Sequence, residues 1–330
     1  MEALVKSIPP VTQLRYVIED ESNIGEARRA AQTLANYELD AETAGRVAIA
    51  VNELASNALR HGGGGEILVQ ALGTADSTMI EVLAIDSGPG MADIERCMRD
   101  GYSTGGTMGQ GLGAVRRLAK EFDIYSVPGE GTVVMARFGQ PLTVRFGAIN
   151  IALAGEIDCG DTWRLLADRE QIALFMVDGL GHGTLAAEAA RTGADSFMAS
   201  PFASPQEVMK LADAAMSRTR GGAGACALLR GSSLTYAGVG NIGGTLLSRD
   251  KSQGLVSHPG TLGRQARRSQ AFEYQREPGT LLIMHSDGLS ARWNLRERAG
   301  LLSHHPAIVA AVLYRDYGRE RDDATVVVIA

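Results

Sequence analysis

A helical pattern that runs directly into four consecutive glycines, VNELASNALRHGGGGEI over residues 51–67, restricts the possible folds of this chain more than any other segment. Val47, Leu54 and Ala58 recur at the spacing of one helix face, which predicts a helix over residues 41–60. One glycine in the left-handed conformation is enough to end a helix. The additional glycines therefore predict a backbone that must approach another part of the molecule closely.

Glu53 and Asn57 lie four residues apart in this helix and therefore project from one face. A carboxylate can act as a base, and an amide oxygen can coordinate Mg²⁺ beside substrate phosphates. Each residue taken alone is equally typical of a solvated helix face. A nucleotide site is indicated only because further elements follow.

Two later segments supply these elements. Asp86 ends the apolar run STMIEVLAI and begins DSGPG, in which Gly88 and Gly90 would let a flat ring lie against the backbone. The Asp86 carboxylate would accept a hydrogen bond from that ring, for which the adenine amino group is the expected donor. The segment STGGTMGQGLG, residues 103–113, then precedes a helix, and its glycines would let backbone N–H groups converge on phosphates.

The motifs N-E-L-x-x-N, D-x-G-x-G and G-x-G-L-G, in this order, resemble the nucleotide-binding boxes of the GHKL ATPases over about residues 8–138. Within that superfamily the segments resemble the small serine kinases that phosphorylate anti-sigma-factor antagonists, in particular the stressosome switch kinase. The resemblance implies a Bergerat α/β sandwich that binds ATP and Mg²⁺, with Glu53 as base, Asn57 on Mg²⁺ and Asp86 on adenine. It also implies nucleotide contacts from Gly88, Gly90, Thr104, Gly109, Gly111, Leu112 and Gly113.

The second half of the chain places acidic residues at the ends of apolar runs. They are Asp161, the pair Asp178 and Gly179, the pair Asp287 and Gly288, and the adjacent Asp322 and Asp323. A single Asp-Gly pair is most often a turn. Several converging carboxylates would raise one another's pKa, and divalent cations would relieve this repulsion. Two Mn²⁺ or Mg²⁺ ions held in this way could activate water for hydrolysis of a phosphate ester.

The segments DGLGHG, YAGVGN, HSDGL and RDDATVVV resemble the PPM (PP2C-like) phosphatases of the sporulation and stress-response type, over about residues 144–330. The resemblance implies a PP2C-like α/β-β/α four-layer sandwich in which Asp178 is essential for catalysis. It implies as metal ligands Asp161, Asp178, the Gly179 carbonyl, Asp287 and Asp322, with Asp323 as the alternative to its neighbour.

The two groups of motifs predict a two-domain α+β chain, with a GHKL domain over residues 1–139 and a phosphatase domain over residues 142–330. A net charge of −6 and the lack of a basic run argue against nucleic-acid binding. The start of the chain lacks a signal-peptide layout, and no apolar run could span a bilayer, so we expect a cytoplasmic protein without a membrane partner. Three scattered cysteines favour neither a disulfide framework nor a zinc site.

The predicted function is a protein serine/threonine kinase joined to a metal-dependent phosphatase, both acting on STAS-type antagonist or stressosome proteins in bacterial partner switching. An anti-sigma or sigma protein is a further partner of such a pathway. Two alternatives stay open, namely a phosphatase controlled by a non-catalytic ATP-sensing or partner-binding domain, and a scaffold that sequesters a sigma factor. Opposed activities on one serine would consume ATP without net change, so we expect ligand binding at Glu53 and Asp86 to bias the phosphatase.

Hydrophobic spacing predicts the remaining elements less specifically. Leu112, Val115, Leu118 and Phe122 share one face of a predicted helix that follows the glycine-rich loop. Further helices are predicted over residues 24–37, 184–197 and 206–218. The apolar, β-branched runs between them predict strands.

Overall fold

The computed structural model describes residues 6–8, 13–74, 77–98, 111–264 and 269–330. The helices in these residues are α1 (Glu21–Glu38), α2 (Ala41–Gly62), α3 (Ile94–Cys97), α4 (Gly111–Leu118), α5 (Thr184–Phe197), α6 (Pro205–Ala215) and α7 (Pro306–Tyr317). The strands before residue 160 are β1 (Lys6–Ile8), β2 (Leu14–Ile18), β3 (Gly65–Thr74), β4 (Ser77–Asp86), β5 (Glu121–Val127), β6 (Gly131–Gly139) and β7 (Phe146–Ile151). The later strands are β8 (Asp161–Ala167), β9 (Gln171–Gly179), β10 (Gly222–Arg230), β11 (Ser233–Val239), β12 (Gly243–Leu247), β13 (Ser252–Gly254), β14 (Ser257–His258), β15 (Phe272–Gln275), β16 (Leu281–His285) and β17 (Ala324–Ile329).

The chain forms two compact units that are not continuous in sequence. The first unit contains Gln13–Thr143 and the short segment Ser303–Arg315. The second unit contains Val144–Leu302 and Asp316–Ala330, together with β1 near the start of the chain. Helix α7 therefore belongs to the first unit as far as Arg315 and to the second from Asp316 onward.

The first unit is built on an antiparallel sheet with the strand order β2-β3-β4-β6-β5. Helices α1 and α2 pack against each other and against this sheet. Both helices begin at an aspartate whose side chain accepts hydrogen bonds from first-turn N–H groups, Asp20 for α1 and Asp40 for α2. Such caps satisfy donors that a helix start would otherwise leave unpaired.

One face of this sheet carries a cluster of polar side chains. Cross-strand pairing places Gln70, Glu81 and Arg137 side by side, and Glu81 accepts hydrogen bonds from both neighbours. The segment 303–315 contacts the same face, because Tyr314 donates to Glu66 of β3 and the His305 ring lies 3.3 Å from the Arg137 guanidinium. Arg137 and Glu81 are each 1% exposed, so this ion pair is buried.

The second unit contains two sheets. One has the order β1-β8-β9-β10-β11-β14, with β15 also paired to β11, and the other has the order β13-β12-β16-β17-β7. Helices α5 and α6 pack on the first of these sheets through an alanine-rich apolar core. The ring of Phe146 in β7 meets that of Trp163 in β8 edge to face, which joins the inner faces of the sheets.

These two units confirm the expected two-domain α+β fold class. The helix prediction is wrong at Phe122, because α4 ends at Leu118 and Phe122 lies in β5. The segment EFDIYSV pairs along its whole length with β6, and this tertiary pairing outweighs the helical spacing of the apolar residues. None of the described helices is long and apolar enough to cross a membrane.

Candidate functional site

The glycines after α2 serve a close approach between the end of that helix and the loop after β4. A Cβ atom on Gly62 would lie 2.7 Å from the Asp86 Cβ, and one on Gly88 would lie 2.6 Å from the Gly62 Cα. Real Cβ atoms do not come this close to other atoms, so larger residues would push the helix end and the loop apart. The glycine run and the D-S-G-P-G segment therefore form one structural feature, although they lie more than twenty residues apart.

Asp86 lies at the end of β4 with its carboxylate held in place by backbone groups. Its Oδ1 accepts hydrogen bonds from Gly88 N–H at 3.0 Å and Thr132 N–H at 3.1 Å. Among the described residues, Oδ2 accepts no hydrogen bond and is left for a ligand. Burial raises the pKa of Asp86, while the two N–H groups and the charge of Arg315 oppose this shift. A fixed carboxylate with one open oxygen suits the exocyclic amino group of adenine.

Glu53 lines a groove between α1 and α2 with a volume of about 660 Å³. Apolar side chains of Ile24, Ile49 and Leu59 line the same groove. The described part of its lining includes neither Asn57 nor Asp86, so this groove does not bring Glu53 together with the two residues predicted to hold the nucleotide. This position suits a base that must contact a second substrate rather than the nucleotide alone.

The remaining predicted nucleotide contacts lie around the glycine-rich loop. Thr104 and Gly109 lie outside the described residues. Gly111, Leu112 and Gly113 form the first turn of α4, and each is partly exposed. Gly90 has a φ of +66°, and a Cβ there would lie within 3 Å of the Val127 carbonyl, so this position needs glycine.

The predicted metal ligands of the second unit gather at one end of its sheets. Asp161 begins β8, Asp178 nearly ends β9, and the two are direct cross-strand partners. Asp287 follows β16, and Asp322 precedes β17, which pairs with β16. The register of one sheet pairs Asp161 with Asp178, and the charges of Asp287, Asp322 and Asp323 act on Asp178, so the acids of the two sheets lie near one another.

These carboxylates perturb one another's ionisation. Burial, and then the charges of Asp287, Asp322 and Asp323, raise the pKa of Asp178 to about 7. Burial, and then the charge of Asp178, raise the pKa of Asp161 well above its usual range. Such mutual repulsion marks a cluster of acids that bound cations would stabilise.

Asp322 and Asp323 have different surroundings. Both oxygens of Asp323 accept backbone hydrogen bonds, Oδ1 from Leu153 N–H at 2.8 Å and Oδ2 from Gly160 N–H at 3.0 Å. Asp323 is 2% exposed, whereas Asp322 is partly exposed. Burial, and then the charge of Asp287, raise the pKa of Asp322. Asp323 therefore organises the loops, and Asp322 faces the other candidate ligands.

The donor set fits divalent cations. Asp161 Oδ2 is buried and has no hydrogen-bond partner among the described residues. Carboxylate and carbonyl oxygens, the latter from Gly179, are the ligands that Mg²⁺ and Mn²⁺ prefer. In the described part of the chain, no group of three or more His, Cys, Asp and Glu side chains has the spacing of a metal site.

Two contacts at these sites were not predicted from the sequence. Asn241 donates from Nδ2 to Asp287 Oδ2 at 2.7 Å, and Arg315 donates from Nη1 to the Asp86 carbonyl at 3.3 Å. Asn241 lies in YAGVGN, one of the segments that carry the phosphatase resemblance, so its position could have indicated a role at the site. Arg315 gives no local signal, because its partner lies 229 residues earlier in the chain.

Comparisons with known proteins agree with the two groups of residues. Residues 18–138 match the family model of the histidine kinase-like ATPase domain, and residues 168–330 match that of stage II sporulation protein E, SpoIIE. The serine/threonine-protein kinase RsbT of Bacillus subtilis (strain 168) is 41% identical over 91 residues, which are 28% of this chain and 68% of RsbT.

Two solved structures resemble parts of the chain. One is described as "The bacterial stressosome: a modular system that has been adapted to control secondary messenger signaling"; it is 27% identical with a TM-score of 0.53 and covers 57% of this chain and 100% of its own. The other, RsbX in complex with magnesium, is 22% identical with a TM-score of 0.50 and covers 55% of this chain and 92% of its own. The RsbX likeness supports the fold alone.

Proposed function

Because the chain belongs to the family of the serine/threonine-protein kinase RsbT and carries a SpoIIE-type domain beside it, we propose that it phosphorylates and dephosphorylates STAS-type proteins in a bacterial partner-switching pathway. The chain is a fusion of a GHKL-type serine/threonine kinase domain with a metal-dependent PP2C-type phosphatase domain. The single observation that carries the proposal is that the two groups of candidate residues lie in different units of the chain, Glu53 and Asp86 in the first and the clustered aspartates in the second.

In the kinase domain, Asp86 would bind the adenine amino group and Asn57 would contribute an oxygen ligand to the Mg²⁺ of ATP. Glu53 would accept the proton of the attacking seryl hydroxyl. The groove between α1 and α2 supports this role, because a protein segment bound there would contact Glu53. Its lining combines the apolar Ile24, Ile49 and Leu59 with the polar Asn52 and Ser56, which suits a peptide chain.

In the phosphatase domain, Asp161, Asp178, the Gly179 carbonyl, Asp287 and Asp322 would hold two divalent ions. When bound, these ions would supply an activated water and neutralise charge on the phosphoryl group. Asn241 would orient Asp287 through its 2.7 Å hydrogen bond, and Asp323 would fix the loops that carry Leu153 and Gly160. We keep the choice between Mn²⁺ and Mg²⁺ open, because both accept oxygen ligands.

The experiment measures both activities on one STAS protein. Transfer of radiolabelled phosphate from ATP should be lost in Glu53→Gln and kept in Asp178→Asn. Mn²⁺-dependent release of phosphate from STAS protein that wild type has labelled beforehand should be kept in Glu53→Gln and lost in Asp178→Asn. Binding of ATP by Glu53→Gln should persist, because the base does not hold the nucleotide. Transfer by wild-type protein and by Glu53→Gln at equal rates would contradict the base role. Binding of ATP without any transfer would favour the nucleotide-sensing alternative.

A further inference from the structure

Helix α7 belongs in sequence to the segment that matches SpoIIE, yet most of it packs in the kinase domain. Its residues Pro306–Leu313 are all buried, which fits a helix that is apolar on every side. At its start, Asp123 of β5 accepts hydrogen bonds from the His305 N–H at 2.6 Å and pairs with the His304 ring at 2.9 Å. The helix is therefore fastened to the kinase sheet at its first turn.

The C-terminal end of α7 contacts the loop that begins at Asp86. Tyr314 donates its hydroxyl to Glu66 Oε2 at 3.1 Å, and Arg315 donates from Nη1 to the Asp86 carbonyl at 3.3 Å. The charge of Arg315 also acts on the Asp86 carboxylate, where it favours the ionised form and lowers the pKa against the effect of burial. Arg315 thus helps to fix the backbone and the charge of the residue that we assign to adenine.

The four residues after Arg315 are held in the phosphatase domain. Asp316 pairs with Arg298 at 2.8 Å, and the Tyr317 carbonyl accepts from Ser290 N–H at 2.8 Å. Gly318 bridges to Leu289. Arg319 then donates its N–H to the Gly288 carbonyl at 2.7 Å. Gly288 directly follows Asp287, so this stretch is bonded to the backbone beside a candidate metal ligand.

A single covalent segment, Arg315–Arg319, therefore connects the Asp86 loop with the backbone next to Asp287. We propose that this segment links nucleotide binding to metal binding, so that occupancy of one site weakens the other. The proposal rests on the proposed function, since it takes Asp86 as the adenine contact. Coupling between sites needs an element with two arrangements that both ligands bias, and Arg315–Arg319 is the element to which we assign this role, because it is bonded beside both sites.

The opposed sign follows from the chemistry of the two domains. A kinase and a phosphatase that act at once on one protein would hydrolyse ATP with no net change in phosphorylation. Mutual weakening avoids this cycle, because a nucleotide-bound chain would have a poorly loaded phosphatase. Linkage requires the effect to be reciprocal, so metal loading must reduce nucleotide affinity by the same factor.

Arg315 acts here as a positioning residue, and the test is a double-mutant cycle on the full chain. The dissociation constant of the Mg²⁺ complex of a non-hydrolysable ATP analogue is measured by calorimetry at one fixed concentration of free Mg²⁺. Asp178→Asn removes a carboxylate from the metal site without touching the linking segment. We expect this variant to bind the analogue at least about fivefold more tightly than wild type, the lower end of typical coupling factors.

In the Arg315→Gln background, the same Asp178→Asn change should leave the affinity unaltered. Arg315→Lys keeps a positive donor and should retain part of the factor, which a purely structural role for the side chain would not predict. Arg46→Gln is the matched control, because it removes an arginine from an exposed pair with Glu42 elsewhere in the same unit. In the Arg46→Gln background, Asp178→Asn should tighten binding of the analogue by the same factor as in wild type.

The outcomes separate this inference from the proposed function. Failure of the wild-type chain to bind the analogue would overturn the nucleotide site itself. Binding that is unaffected, or weakened, by Asp178→Asn would overturn the linkage while the nucleotide site stands. If Asp178→Asn still tightens binding of the analogue in the Arg315→Gln background, the path through Arg315 is overturned. If Arg315→Gln does not fold, wild type still decides the linkage, because the analogue should slow its Mn²⁺-dependent hydrolysis of p-nitrophenyl phosphate.

Discussion

Asp322 and Asp323 are adjacent in sequence but have separate tasks. We predict that Asp322→Asn weakens Mn²⁺ binding at least about tenfold and leaves the stability of the metal-free protein nearly unchanged. Asp323→Asn should instead lower the free energy of unfolding by about 1–3 kcal/mol, because its amide cannot accept from both Leu153 and Gly160. Calorimetric Mn²⁺ titration and urea unfolding measure the two effects. Loss of stability in Asp322→Asn together with loss of Mn²⁺ affinity in Asp323→Asn would contradict this division of roles.

Asp178 makes the stability of the metal-free protein depend on pH. Its folded-state pKa of about 7 lies above the ordinary value of 3.8, so the folded protein retains a proton that the unfolded chain releases between these values. The stabilising contribution is complete below the ordinary value and is lost as the pH rises through about 7. We predict that the melting temperature of metal-free protein falls between about pH 5 and pH 8.

Asp178→Asn is the matched test of this dependence. The melting temperature of the variant should depend less on pH than that of wild type, because asparagine does not titrate. Mn²⁺ should raise the melting temperature of wild type more at the higher pH, since metal binding must displace the proton at the lower one. Thermal unfolding followed by circular dichroism measures both effects. Equal slopes for the two proteins would show that another group carries the pH dependence.

At the residue scale, the sequence contains the identity of the candidate ligands but not all of their partners. Asp178 and Asp287 could be singled out because each ends an apolar run, which is a local pattern. The difference between Asp322 and Asp323 could not be predicted, because it depends on the backbone of Gly160 far away in the chain. The contact between Arg315 and Asp86 is equally non-local.

At the scale of elements, the buried pair of Glu81 and Arg137 stabilises the kinase sheet only as a pair. We predict that Arg137→Met alone lowers the free energy of unfolding by about 3–5 kcal/mol, because Glu81 is left as an unpaired buried charge. The double variant with Glu81→Leu should lose less than the sum of the two single variants. Denaturant unfolding of all four proteins completes the cycle. Additive losses would mean that the two side chains contribute independently.

Elements with a strong local pattern could be predicted closely. Helix α5 has the predicted bounds Thr184–Phe197, because an alanine-rich face repeats without interruption. Strand β5 was missed, since EFDIYSV owes its conformation to pairing with β6. Local spacing indicates which residues can share a helix face, but only the sheet decides whether they do.

At the scale of the whole molecule, the kinase domain takes a helix from the far end of the chain. The predicted domain limits, 1–139 and 142–330, stay a prediction. The structural units do not correspond to two continuous stretches of sequence, because Ser303–Arg315 packs with Gln13–Thr143. Sequence patterns could not indicate which unit α7 packs with, since the helix is apolar on every side and would suit any core.

A fragment that ends at Thr143 should therefore lack part of its own packing. Without residues 303–315, this face of the kinase sheet loses the contacts of Asp123 with His304 and His305 and that of Glu66 with Tyr314. We predict that a peptide of residues 303–317 binds this fragment and raises its urea midpoint as the peptide concentration increases, because a ligand of the folded state stabilises it by mass action. The same peptide with Tyr314→Ala and Arg315→Ala should bind at least about tenfold more weakly, since two hydrogen bonds are lost. Identical midpoints with and without either peptide would mean that the kinase sheet does not need α7, and that the helix is held in place by the phosphatase domain alone.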